Sequence, residues 1–153
     1  MNSGVVTVES GDPRDEAATA LLQASHMLMQ SLFPAEANHY LSIEALCSDD
    51  IRFFVAKVGG TVLGCGALAL RDGYGEVKSM FVDPAARGSG LGIRLLRRIE
   101  EEARKEDLPL LRLETGEKLH SAHKMYEGFG FAHRGPFGDY PDDPNSLFME
   151  KPL

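Results

Sequence analysis

Val82-Asp83-Pro84-Ala85-Ala86-Arg87-Gly88-Ser89-Gly90-Leu91-Gly92 runs from the end of a β-rich segment, through a turn crowded with glycine, into an apolar stripe at helical spacing. The segment before it, Gly75 to Val82, reads as a strand. After it, Leu91, Leu95, Ile99 and Ala103 recur on one helical face, while Arg97 with Glu101 and Glu100 with Arg104 stand four apart on the wet face. A strand, a glycine-rich turn and a helix N-terminus together form an anion trap. The first backbone N–H groups of a helix have no partner within it, the helix dipole favours negative charge there, and glycines let a phosphate approach. The spacing matches neither of the commonest nucleotide-binding turns. No Lys-Ser or Lys-Thr follows Gly92, and the glycine spacing and downstream acid of a dinucleotide fingerprint are missing.

Upstream, Ile51 to Val58 and Thr61 to Leu70 are β-rich and joined by Gly59-Gly60, a two-residue link suited to a tight hairpin; Asp72-Gly73 marks the next turn. Near the start, Val5 to Val8 reads as a short strand. Asp12-Pro13 with Asp15 and Glu16 then signals a helix start, with Ala17, Leu21, Ala24, Leu28 and Leu32 as its apolar stripe until Pro34. Leu41 to Leu46 reads as a short helix. Downstream, Leu108 to Thr115 is a buried strand, His120 to Phe129 a helix with Ala122, Met125, Tyr126 and Phe129 inward, and Phe131 to Arg134 and Ser146 to Glu150 are closing strands. Strands first, then strand, helix, strand, helix and strand, predict a mixed α+β domain of three layers, with residues 1–153 as one domain.

Composition narrows the function. The 153 residues are 43% hydrophobic and 25% charged, as expected of a globular domain with a core. A net charge of −7 argues against a general nucleic-acid binder, so an anionic ligand must be held by local features. Met1 to Glu9 lacks the basic start and apolar stretch of a signal peptide, and no apolar run approaches the roughly 20 residues of a membrane span. A cytoplasmic location, away from membranes, is expected. Cys47 and Cys65 stand outside any C-x-x-C pair or regular Cys/His spacing, so no metal site is expected, and Cys65 reads as core.

The run Glu76-Val77-Lys78-Ser79-Met80-Phe81-Val82, the turn Arg87 to Gly92, and Ala122-x-x-x-Tyr126-x-x-x-Gly130-Phe131 together resemble the GNAT (Gcn5-related N-acetyltransferase) family, in its order and separation. The likeness spans about Asp50 to Met149, and Glu114-Thr115-Gly116 and Gly135 to Tyr140 are similar to a bacterial branch of small acetyltransferases. It implies a central, mostly antiparallel twisted sheet with a splayed parallel strand pair, flanked by helices on both faces. It further implies acetyl-CoA as co-substrate and an N-acetyltransferase that moves an acetyl group directly to an amine of a small molecule. Two alternatives stay open: a non-catalytic CoA-binding sensor or interaction module, and an enzyme acting on peptide or protein amines. Homodimers are common in the family, which leaves a dimer open here.

Carried over residue by residue, the resemblance places the pantetheine arm along Met80, Phe81 and Val82. The pyrophosphate falls on the amides of Arg87, Gly88, Ser89, Gly90, Leu91 and Gly92. Tyr126 matches a tyrosine near the CoA sulfur that can protonate the departing thiolate. Since a thiol has a pKa of about 8.5 and a tyrosine about 10, donation is mild. An attacking amine must lose a proton; Glu76 is the first candidate base and Glu114 the second. Lys78, two residues from Glu76 and so on its face, could bind a substrate carboxylate or neutralise Glu76. The acceptor is expected between Ser25 to Leu46 and Gly135 to Asn145, with Asp139 and Tyr140 as substrate residues and Asp139, Asp142 and Asp143 able to attract a cationic amine. Many members carry Asn where this chain has Leu119.

Overall fold

Alternation of side chains across two adjacent phenylalanines sets the two cores. In a computed structural model that describes residues 4–153, the strands are β1 (Val6–Ser10), β2 (Ile51–Val58), β3 (Thr61–Arg71), β4 (Tyr74–Val82), β5 (Leu110–Gly116), β6 (Ala132–Arg134) and β7 (Ser146–Pro152). The helices are α1 (Glu16–Leu32), α2 (Ile43–Leu46), α3 (Leu91–Lys105) and α4 (His120–Gly128). Met1 to Ser3, included in the expected domain and in the stretch read as lacking a leader, lie outside the described residues. On β2, Phe54 and Ala56 point to one face, where they meet Leu91, Leu95, Leu96 and Ile99 of α3 and Tyr126 of α4. Ile51, Phe53 and Val55 point to the other, against Ala18, Leu21 and Leu22 of α1 and Leu46 of α2. Each fully buried Leu or Phe contributes about 1.5–3 kcal/mol relative to exposure.

The sheet has seven strands in the order β1-β2-β3-β4-β5-β7-β6, and every neighbouring pair is antiparallel except β4 with β5. The mixed fold with helices on both faces is therefore as expected. Gly64 and Gly66 of β3 lie under α3: a Cβ on Gly64 would come within 3.3 Å of Leu95, and one on Gly66 within 3.3 Å of Ile99 and 2.6 Å of Met80 Sδ. Their missing side chains seat the helix that follows the glycine-rich turn.

Three local expectations shift. The first helix begins at Glu16, because Asp12 folds back to accept the Arg14 amide and closes a turn ahead of it. Its buried stripe is Ala18, Leu21, Leu22 and Ser25, whereas Ala17 and Ala24 are exposed. On α3, Arg98 pairs with Glu102 at 3.1 Å and Arg104 with Glu100 at 3.4 Å, while Arg97 and Glu101 face solvent with no ion-pair partner among the described residues. Cys65 is fully buried, and burial pushes its thiol up to about 12, so it serves as core.

Candidate active site

β4 and β5 pair only at Gly75 with Leu111 and Glu76 with Arg112, and then part. The cause lies on the other side of β4. Ser79 adopts φ +57, and the pairing with β3 jumps from Ala67–Lys78 to Cys65–Phe81, so one extra residue bulges out and bends the strand. β5 meanwhile stays in register with β7 along its whole length. The edge of β4 from Val77 to Val82 that faces β5 is thus left without a partner strand.

The opening is a cleft of about 130 Å³ that runs from one face of the sheet to the other. Leu119 with Ala122 and Tyr126 of α4 close one end; Ser25 and Met29 of α1 with Phe33, Asn38, His39 and Tyr40 close the other. Lys78, Ser79 and Met80 form one wall and Glu114, Thr115 and Gly116 the opposite one. The volume falls below the roughly 300 Å³ at which whole-ligand pockets begin, so the cleft fits reacting groups rather than an entire nucleotide.

The glycine-rich turn lies against α4, where a Cβ on Gly92 would come within 2.5 Å of Met125 Sδ. Asp83 accepts the Ala85 amide and caps a single 3₁₀ turn at Pro84–Ala86, a detail the sequence reading passed over. The Arg87 and Ser89 amides bond inward to Pro84 and Ala86, and the Ser89 hydroxyl also donates to Ala86 O. The amides of Gly88, Gly90, Leu91 and Gly92 have no acceptor among the described residues. Gly88 and Gly90 hold φ +80 and +86, and a Cβ on either would meet nothing within 4 Å; handedness of the backbone, not crowding, demands glycine there. Arg87 is exposed at the rim.

Within the cleft the two carboxylates differ sharply. Glu76 is only 3% exposed and does not line the opening. Its Oε1 meets Arg71 Nε at 3.2 Å, and its Oε2 accepts from Tyr140 OH at 2.5 Å and lies 3.6 Å from Lys78 Nζ. Both oxygens are committed to the fold. Glu114 lines the opening, with Oε2 accepting from Ser146 Oγ at 2.8 Å. Burial raises its pKa above the ordinary carboxylate range, with Ser146, Lys78 and His39 opposing and Glu76 reinforcing the rise. Of the two candidate bases, Glu114 lines the opening and Glu76 does not.

Tyr126 lines the same opening and its hydroxyl has no hydrogen-bond partner among the described residues. Burial first and the Glu114 charge second raise its pKa, so it carries its proton. Met80 borders the cleft, whereas Phe81 packs under α1 and Val82 against the α3 core, leaving their backbones on the open edge. Lys78 Nζ donates to Tyr140 OH at 2.8 Å and to His39 O at 3.1 Å. Asp139 is exposed and away from the opening, and Asp143 turns back to bind the Asn145 amide and side chain.

A family model described as "Acetyltransferase (GNAT) family" matches residues 18–131, which include both walls of the cleft, the turn and Tyr126. The chain belongs to the GNAT acetyltransferase family. A relative from Azospirillum brasilense named IAA acetyltransferase is 51% identical over 150 residues, covering 97% of this chain and 98% of its own. The crystal structure of a Klebsiella pneumoniae protein assigned as an acyl-CoA N-acyltransferase superposes with a TM-score of 0.82 at 34% identity, over 97% of this chain and 98% of that one. A PaiA N-acetyltransferase from Thermoplasma acidophilum, solved with coenzyme A, shares the fold at TM-score 0.75 and 16% identity, over 97% and 99% of the two chains. This GNAT protein is an acyltransferase enzyme. None of its helices is long and apolar enough to cross a membrane among the described residues.

His39 lines the cleft from within the Ser25 to Leu46 stretch where the acceptor is expected, whereas sequence reasoning gave no role to Ser79 as a cleft residue or to Tyr40 as a stacking partner. Tyr40 lies flat on His26, ring centres 4.0 Å apart, and burial lowers the His26 pKa. A serine in a β-rich run carries no sign of positive φ, and no local pattern marks the two histidines.

Proposed function

We propose that this enzyme transfers an acetyl group from acetyl-CoA to the amine of a small molecule while both are bound. One observation carries the reading: the bulge at Ser79 opens the sheet so that Glu114 and Tyr126 face one cleft, with the unpartnered amides of the glycine-rich turn beside its α4 end. The open edge of β4 suits an extended arm, and the free amides suit its phosphates. Acetyl-CoA supplies the acyl group as a thioester; a carbon–nitrogen bond forms and the carbon–sulfur bond breaks.

Glu114 accepts the proton that the amine gives up. Its raised pKa makes it a better base than an ordinary carboxylate, and the carboxylate form must be present to act. Tyr126 returns a proton to the departing sulfur. The two steps help each other: the Glu114 charge is one cause of Tyr126's raised pKa, so protonating Glu114 strengthens Tyr126 as an acid when a thiolate needs a proton. Glu76, Lys78 and Tyr140 hold the floor of the acceptor side, and neither cysteine lines the cleft to form an acyl intermediate.

Thiol release from acetyl-CoA, followed with a panel of amines, tests the reading. IAA joins the panel because the Azospirillum relative bears its name. The expected result is release that depends on one amine and falls at least tenfold in both Glu114→Gln and Tyr126→Phe. Full activity in the Glu114→Gln enzyme would remove that residue as the base.

A further inference from the structure

Besides His26 Nε2, which lies outside the cleft lining, two polar atoms at the acceptor end are buried without a partner among the described residues: His39 Nε2 and Ser79 Oγ. Both residues line the cleft. Buried polar atoms in folded proteins nearly always have partners, and orphans gathered in one opening point to a ligand that supplies the missing bond. The backbone fixes both. Ser79 is the bulge residue, and the His39 carbonyl is tied to Lys78 Nζ at 3.1 Å while its ring packs edge-on to Tyr140 at 5.3 Å.

Charge decides what fits. Among the described residues Lys78 is the one lysine or arginine on the cleft wall, and it stands with Ser79 on β4; Glu114 stands across the gap on β5. Such a slot is matched by a molecule carrying an amine toward one wall and an anion toward the other. A polycation would find little to bind, because Asp139 and Asp142 are exposed and Asp143 is turned into its own loop.

We infer that the acceptor is a zwitterion, an amine with a carboxylate close to it, whose carboxylate is received by His39 Nε2 and Ser79 Oγ beside Lys78. The inference rests on the transfer reading for its chemistry and on the cleft alone for its binding. His39 donates through the form that carries a proton on Nε2, Ser79 through its hydroxyl, and Lys78 supplies the charge that Glu76 only partly balances.

Binding is measured by calorimetry on the full chain saturated with coenzyme A, using the twenty L-amino acids, their amides, spermidine and kanamycin. At least one amino acid should bind ten or more times tighter than its amide and than either polycation. His39→Leu and Ser79→Ala should each lower that acid-to-amide ratio at least threefold, with coenzyme A affinity and melting temperature close to those of the parent. Ser79→Gly, which relaxes the positive φ, is the second variant if Ser79→Ala folds poorly. Equal binding of acids and amides, tighter binding of the polycations, no binding of any amino acid, or a ratio that survives in the double variant overturns the inference. The readouts separate it from the transfer reading. Acid binding that depends on His39 without any acetyl transfer keeps the inference and sinks the enzyme mechanism; transfer to amides and polyamines as fast as to acids does the reverse.

Discussion

The two ends of the cleft are built by different means. At the α4 end, the proposed phosphate-binding turn is made of backbone: consecutive residues, two left-handed glycines and a helix N-terminus within a stretch of eleven residues. At the α1 end, the proposed acceptor side is made of side chains from far apart, as where Tyr140 bonds Glu76 across 64 positions and Lys78 across 62. A backbone site tolerates most side-chain changes and fails when handedness is broken. A side-chain site fails one residue at a time, and each failure has its own signature.

Glu114 offers the largest test of that contrast. Replacing Glu114 by Gln removes the proposed base and nothing from the turn, so kcat should fall about a hundredfold or more while acetyl-CoA affinity stays within a factor of two or so. Single-turnover kinetics with binding measured separately checks it. A parallel loss of acetyl-CoA affinity would mean that the two ends are not separable.

The converse change is Gly90→Val. Forcing a β-branched residue into φ +86 costs about 1–2 kcal/mol, so acetyl-CoA should bind about tenfold more weakly, with little change in kcat at saturation. A titration of both enzymes with acetyl-CoA decides; unchanged affinity would detach the turn from the phosphates.

These two residues also show how much could be read in advance. Gly90 was legible because strand, turn and helix are local, and each leaves its mark in period and composition. Glu114 was legible as a candidate but not as the one of the two that lines the cleft, since nothing near Glu76 in sequence announces that Tyr140 and Arg71 will occupy its oxygens. Asp139 shows the same limit from the other side: the topology brings its loop near the cleft, yet its side chain turns to solvent. Ser79 was invisible as a bulge because positive φ in a serine is imposed by the strands around it. Ala17 and Ala24 misled because alanine scores as apolar on any helical face while contributing little burial.

Tyr140→Phe probes the side-chain end without touching the reacting groups. The hydroxyl both accepts from Lys78 and donates to Glu76, and burial together with the Glu76 charge raises its pKa, so it is held as a neutral bridge. Its removal leaves two buried charges with one partner fewer, and stability should fall by about 1–3 kcal/mol, read by urea denaturation. Acetyl-CoA affinity should not move. A variant as stable as the parent would show that Arg71 and Lys78 satisfy Glu76 without help.

The smallest expected effect ties rate and stability to the same carboxyl. Burial raises the Glu114 pKa in the folded chain above its unfolded value, so the folded state holds this proton more tightly. The resulting stabilisation is fully present below the ordinary carboxylate pKa of about 4.3 and is lost as pH rises through the folded value. Activity runs the other way, because only the charged carboxylate acts as a base, and the rate should climb across that same interval. Glu114→Gln separates the two. Its melting temperature should match the parent at low pH, where both side chains are neutral, and exceed it progressively as the parent's Glu114 ionises, by well under the change expected for Tyr140→Phe. A parent whose stability and rate rose together through that window would mean that the Glu114 charge is favoured by the fold, and that its raised pKa is not what equips it to take the proton.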